Sequence, residues 1–270
     1  MGGIVWALVI ALADTPQQGK VGSIPLRIIG TSAQKIHQAF QILRREGLRA
    51  LVKSWCGIPY GSGGAGTQPY ELLVNLEQMD CMTSLENLLA LRLAIRRSTP
   101  TLQGFAQALA EVRYHALPPC RWEDRYHYLT HAFIEWQKAG WGQWLPLGQK
   151  DLRPIHYITR HRQRYQGFRD WAFLRKLEEQ LSQYPRYLIT SETLEEWLPA
   201  LQDGDIVAFI AREEGLDVSH VGIFFWEEGR PTFAHAALKA RRWVFGEDLC
   251  AYLDRRKAYI SGITVFRSNL

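Results

Sequence analysis

Residues 79–93 read Met79-Asp80-Cys81-Met82-Thr83-Ser84-Leu85-Glu86-Asn87-Leu88-Leu89-Ala90-Leu91-Arg92-Leu93. Apolar side chains recur at positions 82, 85, 88, 89 and 93, and this helical spacing predicts an amphipathic helix. Asp80 stands where an N-cap belongs, so Cys81 falls in the first turn. Unpaired N–H groups and the helix dipole favour a thiolate there, which makes Cys81 a candidate nucleophile. A small buried core cysteine is the ordinary alternative.

Two histidines lie near the C-terminus on segments of strand-like composition. Residues 204–211 and 219–226 are apolar runs, a turn is expected at 227–231, and 232–236 is a third run. His220 begins the second run and His235 lies near the end of the third, so an antiparallel pair would bring the imidazoles together. One ring could then accept a thiol proton while the other fixes its tautomer. Two unrelated structural histidines are the alternative.

Several short blocks, in chain order, resemble the signature of the NlpC-type cell-wall cysteine peptidases, which are small papain-like enzymes that cut amide bonds in peptidoglycan. These blocks are residues 57–64, Asp80-Cys81, Gly204-Asp205, Ser219-His220-Val221-Gly222-Ile223 and His235-Ala236. A finer resemblance is to the N-acetylmuramoyl-L-alanine amidase-like branch. It rests on residues 74–86, Arg125-Tyr126-His127-Tyr128, residues 215–223 and residues 262–267. The resemblance extends from near residue 35 to the C-terminus.

The resemblance implies a Cys-His-His triad with Cys81 as nucleophile, His220 as general base and His235 as the polarising third member. It also implies substrate-binding roles for Asp80 and Ser219, and for Tyr60 a hydroxyl that either assists the oxyanion or binds substrate. We expect no metal and no cofactor. The chain departs from the family after His235-Ala236, where Ala237-Leu238 replaces a small polar residue. This departure affects the polar lining of the site and leaves the triad in place.

The expected fold class is α+β: a papain-like core, with the nucleophile helix packed on an antiparallel C-terminal sheet, and a large helical insertion. The chain has 270 residues and 47% hydrophobic content, which suffices for one substantial core or two modest ones. We expect residues 14–270 to form a single domain in which 97–200 is a mostly helical insertion. Helices are predicted at 102–114, 126–139, 171–184 and 192–198. Trp141 and Trp144 either fill the core or stack on sugar rings.

The N-terminal residues suggest a targeting signal. Residues 4–12 are apolar but too few to span a bilayer, and 11–13 match a small-x-small cleavage site. We therefore expect 1–13 to be a signal segment and the protein to be exported, to the periplasm or cell envelope. No Lys or Arg precedes the apolar run, so a misplaced start codon or a buried segment of the fold are the alternatives.

Charge and the remaining motifs exclude other classes. The net charge is +5 and the pI about 9.0, but the strongest basic cluster, residues 160–164, is short and no nucleic-acid-binding motif accompanies it. His127 and His131 are four apart, yet Tyr128 stands where a zinc protease needs glutamate. The glycine-rich residues 61–66 lack the ending of a phosphate-binding loop. Beside a free Cys81, the cysteines at positions 56, 120 and 250 can form at most one disulfide.

The expected function is hydrolysis of an amide bond in peptidoglycan or muropeptides, with no nucleic-acid partner and no stable membrane span. Two bonds compete: the N-acetylmuramoyl-L-alanine bond and the γ-D-glutamyl-diamino acid bond. Acyl transfer to an amine would use the same triad. The alternative from another class is a catalytically inactive cell-wall-binding or scaffold protein on the same fold.

Overall fold

Helices and short strands alternate through most of the chain, of which the computed structural model describes residues 17–61, 71–117, 121–165 and 168–270. The helices are α1 (Ser32–Arg45), α2 (Leu48–Ser54), α3 (Cys81–Arg96), α4 (Leu102–Arg113), α5 (Leu129–Lys138), α6 (Tyr157–Arg160), α7 (Trp171–Gln183), α8 (Leu194–Trp197) and α9 (Leu249–Arg256). The strands are β1 (Gln17–Val21), β2 (Ile24–Ile28), β3 (Leu72–Val74), β4 (Gly142–Trp144), β5 (Gln149–Asp151), β6 (Arg186–Leu188), β7 (Ile206–Ala211), β8 (Val218–Glu227), β9 (Arg230–Ala237), β10 (Arg242–Asp248) and β11 (Ile260–Ser268). This architecture confirms the predicted α+β class. The apolar segment 1–13, most of the glycine-rich stretch and Cys120 lie outside the described residues.

A six-stranded antiparallel sheet forms the C-terminal half, in the order β10-β9-β8-β7-β11-β4. The predicted runs at 204–211, 219–226 and 232–236 correspond to β7, β8 and β9. A tight turn at Glu228 and Gly229, both with positive φ, joins β8 to β9. A small sheet, β1-β2-β3, lies at the other end of the chain, and β5 pairs with β6.

Helix α3 begins at Cys81, as the sequence predicts, and its start is fixed by a capping box. Asp80 Oδ1 accepts the backbone N–H of Thr83 at 2.7 Å, and Thr83 Oγ1 accepts the N–H of Asp80 at 2.9 Å. The helix is buried along most of its length and packs on β8 and β9. Its first turn is thereby held against the sheet that bears both histidines.

The region 97–200 contains the predicted helices at α4, α5, α7 and α8, and it also contributes strands. β4 forms an edge of the main sheet by pairing with β11. Helix α5 starts at Leu129 and not at 126, because the backbone of residues 125 and 126 bridges to Arg113 and Tyr114. The buried Asp217 caps α5 from the β7–β8 connection, accepting the N–H of Thr130 at 2.8 Å.

Trp144 belongs to the core and not to a sugar-binding surface. It is 6% exposed, and its indole N–H donates to Thr264 Oγ1 at 2.6 Å. Trp141 is half-buried against the same core. Across the described ranges, no helix is both long and apolar enough to cross a bilayer.

Candidate active site

A cleft of about 550 Å³ opens beside the first turn of α3. Its lining brings together Cys81 from α3, His220 and Ser219 from β8, His235 from β9, and Tyr60. Five of the six side chains singled out in the sequence therefore face one space. The sixth, Asp80, lies immediately before Cys81 and caps α3.

Cys81 keeps some exposure to the cleft, but its thiol is surrounded by protein. Burial raises the pKa of the Cys81 thiol to about 12, and the neighbouring Asp80 carboxylate adds to the rise. Backbone hydrogen bonds at Val221, Met82 and Cys81 itself act in the opposite direction without balancing burial. The expectation that the helix N-terminus keeps this sulfur ionised is therefore wrong, because desolvation of the thiolate outweighs the helix dipole.

The two histidines contact each other directly. His220 Nε2 lies 2.7 Å from His235 Nδ1, with the ring planes inclined at 80°. Antiparallel pairing of β8 with β9 creates this contact, and Gly222 leaves room for it, since a Cβ there would lie 2.6 Å from Phe233. Burial lowers the pKa of His220 to about 3, with further lowering from His235 and Arg256. His220 is consequently a neutral base at physiological pH.

Two further side chains extend this contact into a polar chain that sequence reasoning missed. His235 Nε2 lies 2.6 Å from Glu247 Oε2, and Arg255 donates to Glu247 Oε1 at 2.7 Å. Glu247 is on β10 and Arg255 is on α9. Glycine followed by glutamate in a β-rich run was the available signal, since glycine often marks a bulge.

Tyr60 and Ser219 both line the cleft. Burial, then the proximity of Cys81 and Asp80, raises the pKa of Tyr60, so its hydroxyl keeps its proton. Its backbone N–H donates to Arg241 O at 2.9 Å, which anchors the residue to the strand region. Ser219 is exposed at the start of β8, with its hydroxyl 3.4 Å from Phe209 O.

The rim of the cleft is cationic and aromatic. It includes Lys239, Arg255 and Arg256, together with Tyr252 and Tyr259. Ala237 and Leu238, where the chain departs from the family resemblance, line the cleft, and Leu238 is 67% exposed. Such a rim suits an anionic substrate with apolar parts.

Metal ligation finds no support in the part of the chain that the structure describes, where no group of three or more His, Cys, Asp and Glu side chains could hold an ion. His131 is buried beside His115 and Tyr126, and His127 contacts Phe168. Burial, then the nearby His115, lowers the pKa of His131 to about 4, as expected for a neutral packing residue.

Fold and site together define a class of protein: an α+β protein whose cleft contains a thiol, two hydrogen-bonded imidazoles and a carboxylate. The chain belongs to the AmiA-like family, described as N-acetylmuramoyl-L-alanine amidase-like, whose model matches residues 50–263. A search of curated proteins finds no match.

Solved structures share the fold over nearly their whole length. An N-acetylmuramoyl-L-alanine amidase from Bacteroides uniformis is 25% identical with a TM-score of 0.72, covering 80% of this chain and 96% of that one. A Bacteroides fragilis protein provisionally named a xylanase is 26% identical with a TM-score of 0.72, covering 80% and 98%. A Legionella pneumophila protein, 17% identical with a TM-score of 0.65 over 88% and 94%, shares the fold alone.

Proposed function

We propose that this protein is a cysteine hydrolase that cleaves the N-acetylmuramoyl-L-alanine amide of peptidoglycan or its muropeptide fragments, with Cys81, His220 and His235 as its triad. One observation carries the proposal: Cys81 and a pair of imidazoles 2.7 Å apart line one cleft. Membership of an amidase-like family supports the substrate class. The short signature blocks support the finer assignment to NlpC-type papain-like peptidases.

The reaction begins from the neutral thiol and the neutral imidazole. As the Cys81 sulfur forms a bond to the amide carbonyl carbon, His220 accepts the thiol proton, and the carbonyl oxygen becomes an oxyanion. Backbone N–H groups at the start of α3 and the protonated Tyr60 hydroxyl are the donors available to that oxygen. Moving the proton during attack avoids a buried thiolate in the resting protein.

Collapse of the oxyanion then breaks the carbon–nitrogen bond. His220 returns the proton to the leaving amine, and a thioester to Cys81 remains. Water attacks this thioester, giving a proton to His220. The thiolate leaves as a carboxylic acid forms, and it recovers the proton from His220. An amine in place of water would give acyl transfer by the same steps.

Substrate binding falls to the polar groups at the mouth of the cleft. Ser219 and Tyr60 flank the histidine and cysteine positions, and we assign them contacts with the peptide part of the substrate. Asp80 contributes chiefly through the capping box that orients Cys81. The cationic rim would attract the carboxylates of a muropeptide.

Glycoside hydrolysis, suggested by the name of the Bacteroides fragilis neighbour, suits this cleft poorly. A glycosidase of the usual kind needs two carboxyl groups flanking the scissile bond. Among the described residues lining the cleft, Glu247 is the single carboxylate, and it is engaged by His235 and Arg255. An inactive wall-binding protein has no observation in its favour, because each triad position retains a reactive side chain.

Defined muropeptides test the proposal. Incubation followed by mass spectrometry should release the intact peptide from a lactyl-bearing amino sugar, whereas release of a diamino acid would move the assignment to the γ-D-glutamyl bond. Cys81→Ala should lower kcat/KM by at least about a thousandfold. Cys56→Ala, which removes an exposed thiol outside the cleft lining, is the matched control and should leave turnover unchanged. Binding without turnover in the unmutated protein would support the scaffold alternative.

We further propose that the protein acts in the periplasm or cell envelope after removal of residues 1–13, an apolar segment with a small-x-small end. Sequencing the N-terminus of the mature protein from its natural host tests this. A first residue at Asp14 is expected, and an intact Met1 would contradict export through this segment.

A further inference from the structure

We propose that Glu247, held by Arg255, is a positioning residue that fixes the tautomers of both imidazoles and leaves His220 Nδ1 as the free lone pair. The catalytic consequence rests on the proposed function. The protonation pattern itself does not, and it is measurable whether or not the protein is an amidase.

Counting protons along the polar chain gives a single answer. A carboxylate oxygen only accepts, so at 2.6 Å the Nε2 of His235 must donate to Glu247. A neutral imidazole has one N–H, and His235 Nδ1 is then bare. That atom lies 2.7 Å from His220 Nε2, which must donate to it. His220 Nδ1 is left without a proton and can accept one from a thiol.

Because the rings are buried, neither imidazole can adopt the other tautomer without losing a hydrogen bond. The His235 side chain is 3% exposed, so water has little access to replace a mismatched partner. In either wrong tautomer, two lone pairs or two N–H groups would face each other across a short contact. Without Glu247 the same two rings could reverse all their donors, which would turn His220 Nδ1 into an N–H and abolish its use as a base.

A β-bulge places the Glu247 carboxylate on the correct face of the sheet. Val244 pairs with His235, but Glu247 pairs with Phe233, so β10 contains one extra residue between the two pairs. In an unbroken register Gly246 would face Phe233, and Glu247 would point to the opposite side. Gly246 has a φ of 84°, a conformation that glycine adopts without strain.

Arg255 and His235 keep the carboxylate ionised. The hydrogen bond from His235 lowers the pKa of Glu247, burial opposes it, and Arg255 lowers it further through its charge and its own hydrogen bond. The side chain of Glu247 is 29% exposed, so its charge is only partly screened by solvent. An ionised Glu247 also favours the imidazolium that forms when His220 takes a proton, by way of His235.

Several other titratable groups face the two rings and can contribute to the pH dependence of activity. Cys81 approaches from α3, and Tyr60 lies beside it. Helix α9 presents Tyr252, Arg255 and Arg256. Because Tyr and Arg keep their protons across the neutral range, the acid limb of the profile reports His220 and Glu247.

The experiment compares Glu247→Ala and Glu247→Gln with Glu228→Gln, a matched control that removes a carboxylate from the β8–β9 turn at the far end of the same sheet. Nitrogen-15 NMR of histidine-labelled protein should show Nε2 protonated and Nδ1 bare in both rings of the unmutated protein and the control. Glu247→Ala should lose the single tautomer and lower kcat about 10- to 100-fold with a small change in KM. Glu247→Gln keeps a neutral acceptor, so it should retain more of the single tautomer and more of kcat than Glu247→Ala does.

Unchanged tautomers and unchanged kcat in Glu247→Ala would overturn the proposal. The expected tautomers in a protein without amidase activity would support it while refuting the proposed function. If Glu247→Ala does not fold, Arg255→Ala provides the test, because this side chain is 57% exposed and its loss leaves the core intact. It should move the acid limb of kcat/KM to higher pH, and an unmoved limb would count against the network.

Discussion

Cys81 and His220 are each held in the neutral form, and this sets the chemistry of the cleft at rest. Burial dominates the pKa of both groups, raising that of Cys81 to about 12 and lowering that of His220 to about 3. These pKa values disfavour a preformed thiolate–imidazolium pair, and in the mechanism that we propose the proton moves during attack.

Alkylation rates should expose this neutral resting state. We expect the rate of Cys81 carboxymethylation by iodoacetamide to climb about tenfold per pH unit beyond pH 9, because only the thiolate reacts and its pKa is near 12. Peptide mass spectrometry follows Cys81 and the exposed Cys56 in one digest, so Cys56 reports the intrinsic reagent reactivity. A rate that is high and flat between about pH 6 and pH 9 would demonstrate a preformed ion pair instead.

The individual site residues differ in how far sequence could predict them. Cys81, His220 and His235 stand out because each occupies a recognisable position in a helix start or a strand. The ionisation of Cys81 could not be predicted, since it depends on how deeply the fold buries the sulfur. For Glu247 the sequence offers only the preceding glycine as a signal, because the direction of the side chain depends on a bulge that shifts the register by one residue.

At the scale of the elements, a buried ion cluster ties α3 to its surroundings. Glu86 on α3 accepts from Arg113 of α4 at 2.7 Å and from Arg125 at 2.7 Å, and Arg113 also donates to Leu73 O of β3 at 2.8 Å. Burial alone would raise the pKa of Glu86, but the two arginines outweigh it and hold the pKa below its usual value. The helix that presents Cys81 is thus fixed from two sides.

Removing this charge should destabilise the protein strongly. Glu86→Gln removes the negative charge of a buried carboxylate that pairs with the 3% exposed Arg113, and we expect a loss of about 3–5 kcal/mol in the free energy of urea unfolding. Glu111→Gln, which breaks the partly exposed pair with Arg97, is the matched control and should cost less than about 1 kcal/mol. Equal losses of unfolding free energy in the two variants would show that the Glu86 charge does not stabilise the fold more than a surface ion pair does.

The pH dependence of that difference has a defined sign. The pKa of Glu86 is lower in the folded than in the unfolded state, so its contribution is complete above the unfolded value of about 4.5. It disappears as the pH falls through the folded pKa. The gap in stability between the unmutated protein and Glu86→Gln should therefore narrow below about pH 4. A constant gap would show that the loss arises from packing.

The β10 bulge gives a second element-scale prediction. Gly246→Ala and Gly229→Ala both place a side chain at positive φ with no atom near the new Cβ, so each should cost about 1–2 kcal/mol of unfolding free energy. Of the two, only Gly246 directly precedes Glu247 in the bulge. Gly246→Ala alone should therefore lower kcat, by about tenfold. Equal activities of the two variants would show that the bulge does not aim Glu247.

Long helices were predictable at this scale, and short strands were not. α4, α5 and α7 have apolar periodicity over ten residues or more. β4, β5 and β6 have three residues each, which is too short for an alternating pattern, and tertiary pairing alone defines them. The region 97–200 consequently reads as helical in sequence although it supplies an edge strand to the main sheet.

Over the whole molecule, this intervening region shares its core with the sheet that bears the histidines. Phe133 of α5 stacks on Phe266 of β11 with ring centroids 4.8 Å apart, and Trp144 bonds Thr264 across the β4–β11 pair. Asp217, three residues before His220, caps α5. The sheet that bears His220 and His235 and the helices of residues 97–200 are therefore joined by shared core contacts.

Truncating Phe133 should weaken the whole chain in one step. The ring is 1% exposed between α5 and the sheet, so Phe133→Ala should cost about 3–5 kcal/mol, whereas Phe173→Ala, 39% exposed on α7, should cost less than about 1 kcal/mol. Because both layers share that contact, unfolding followed by far-ultraviolet circular dichroism and by tryptophan fluorescence should give coincident transitions for all three proteins. A helical signal that melts before the fluorescence signal in Phe133→Ala would mean that residues 97–200 unfold by themselves, and the shared core would then be a contact between separable units.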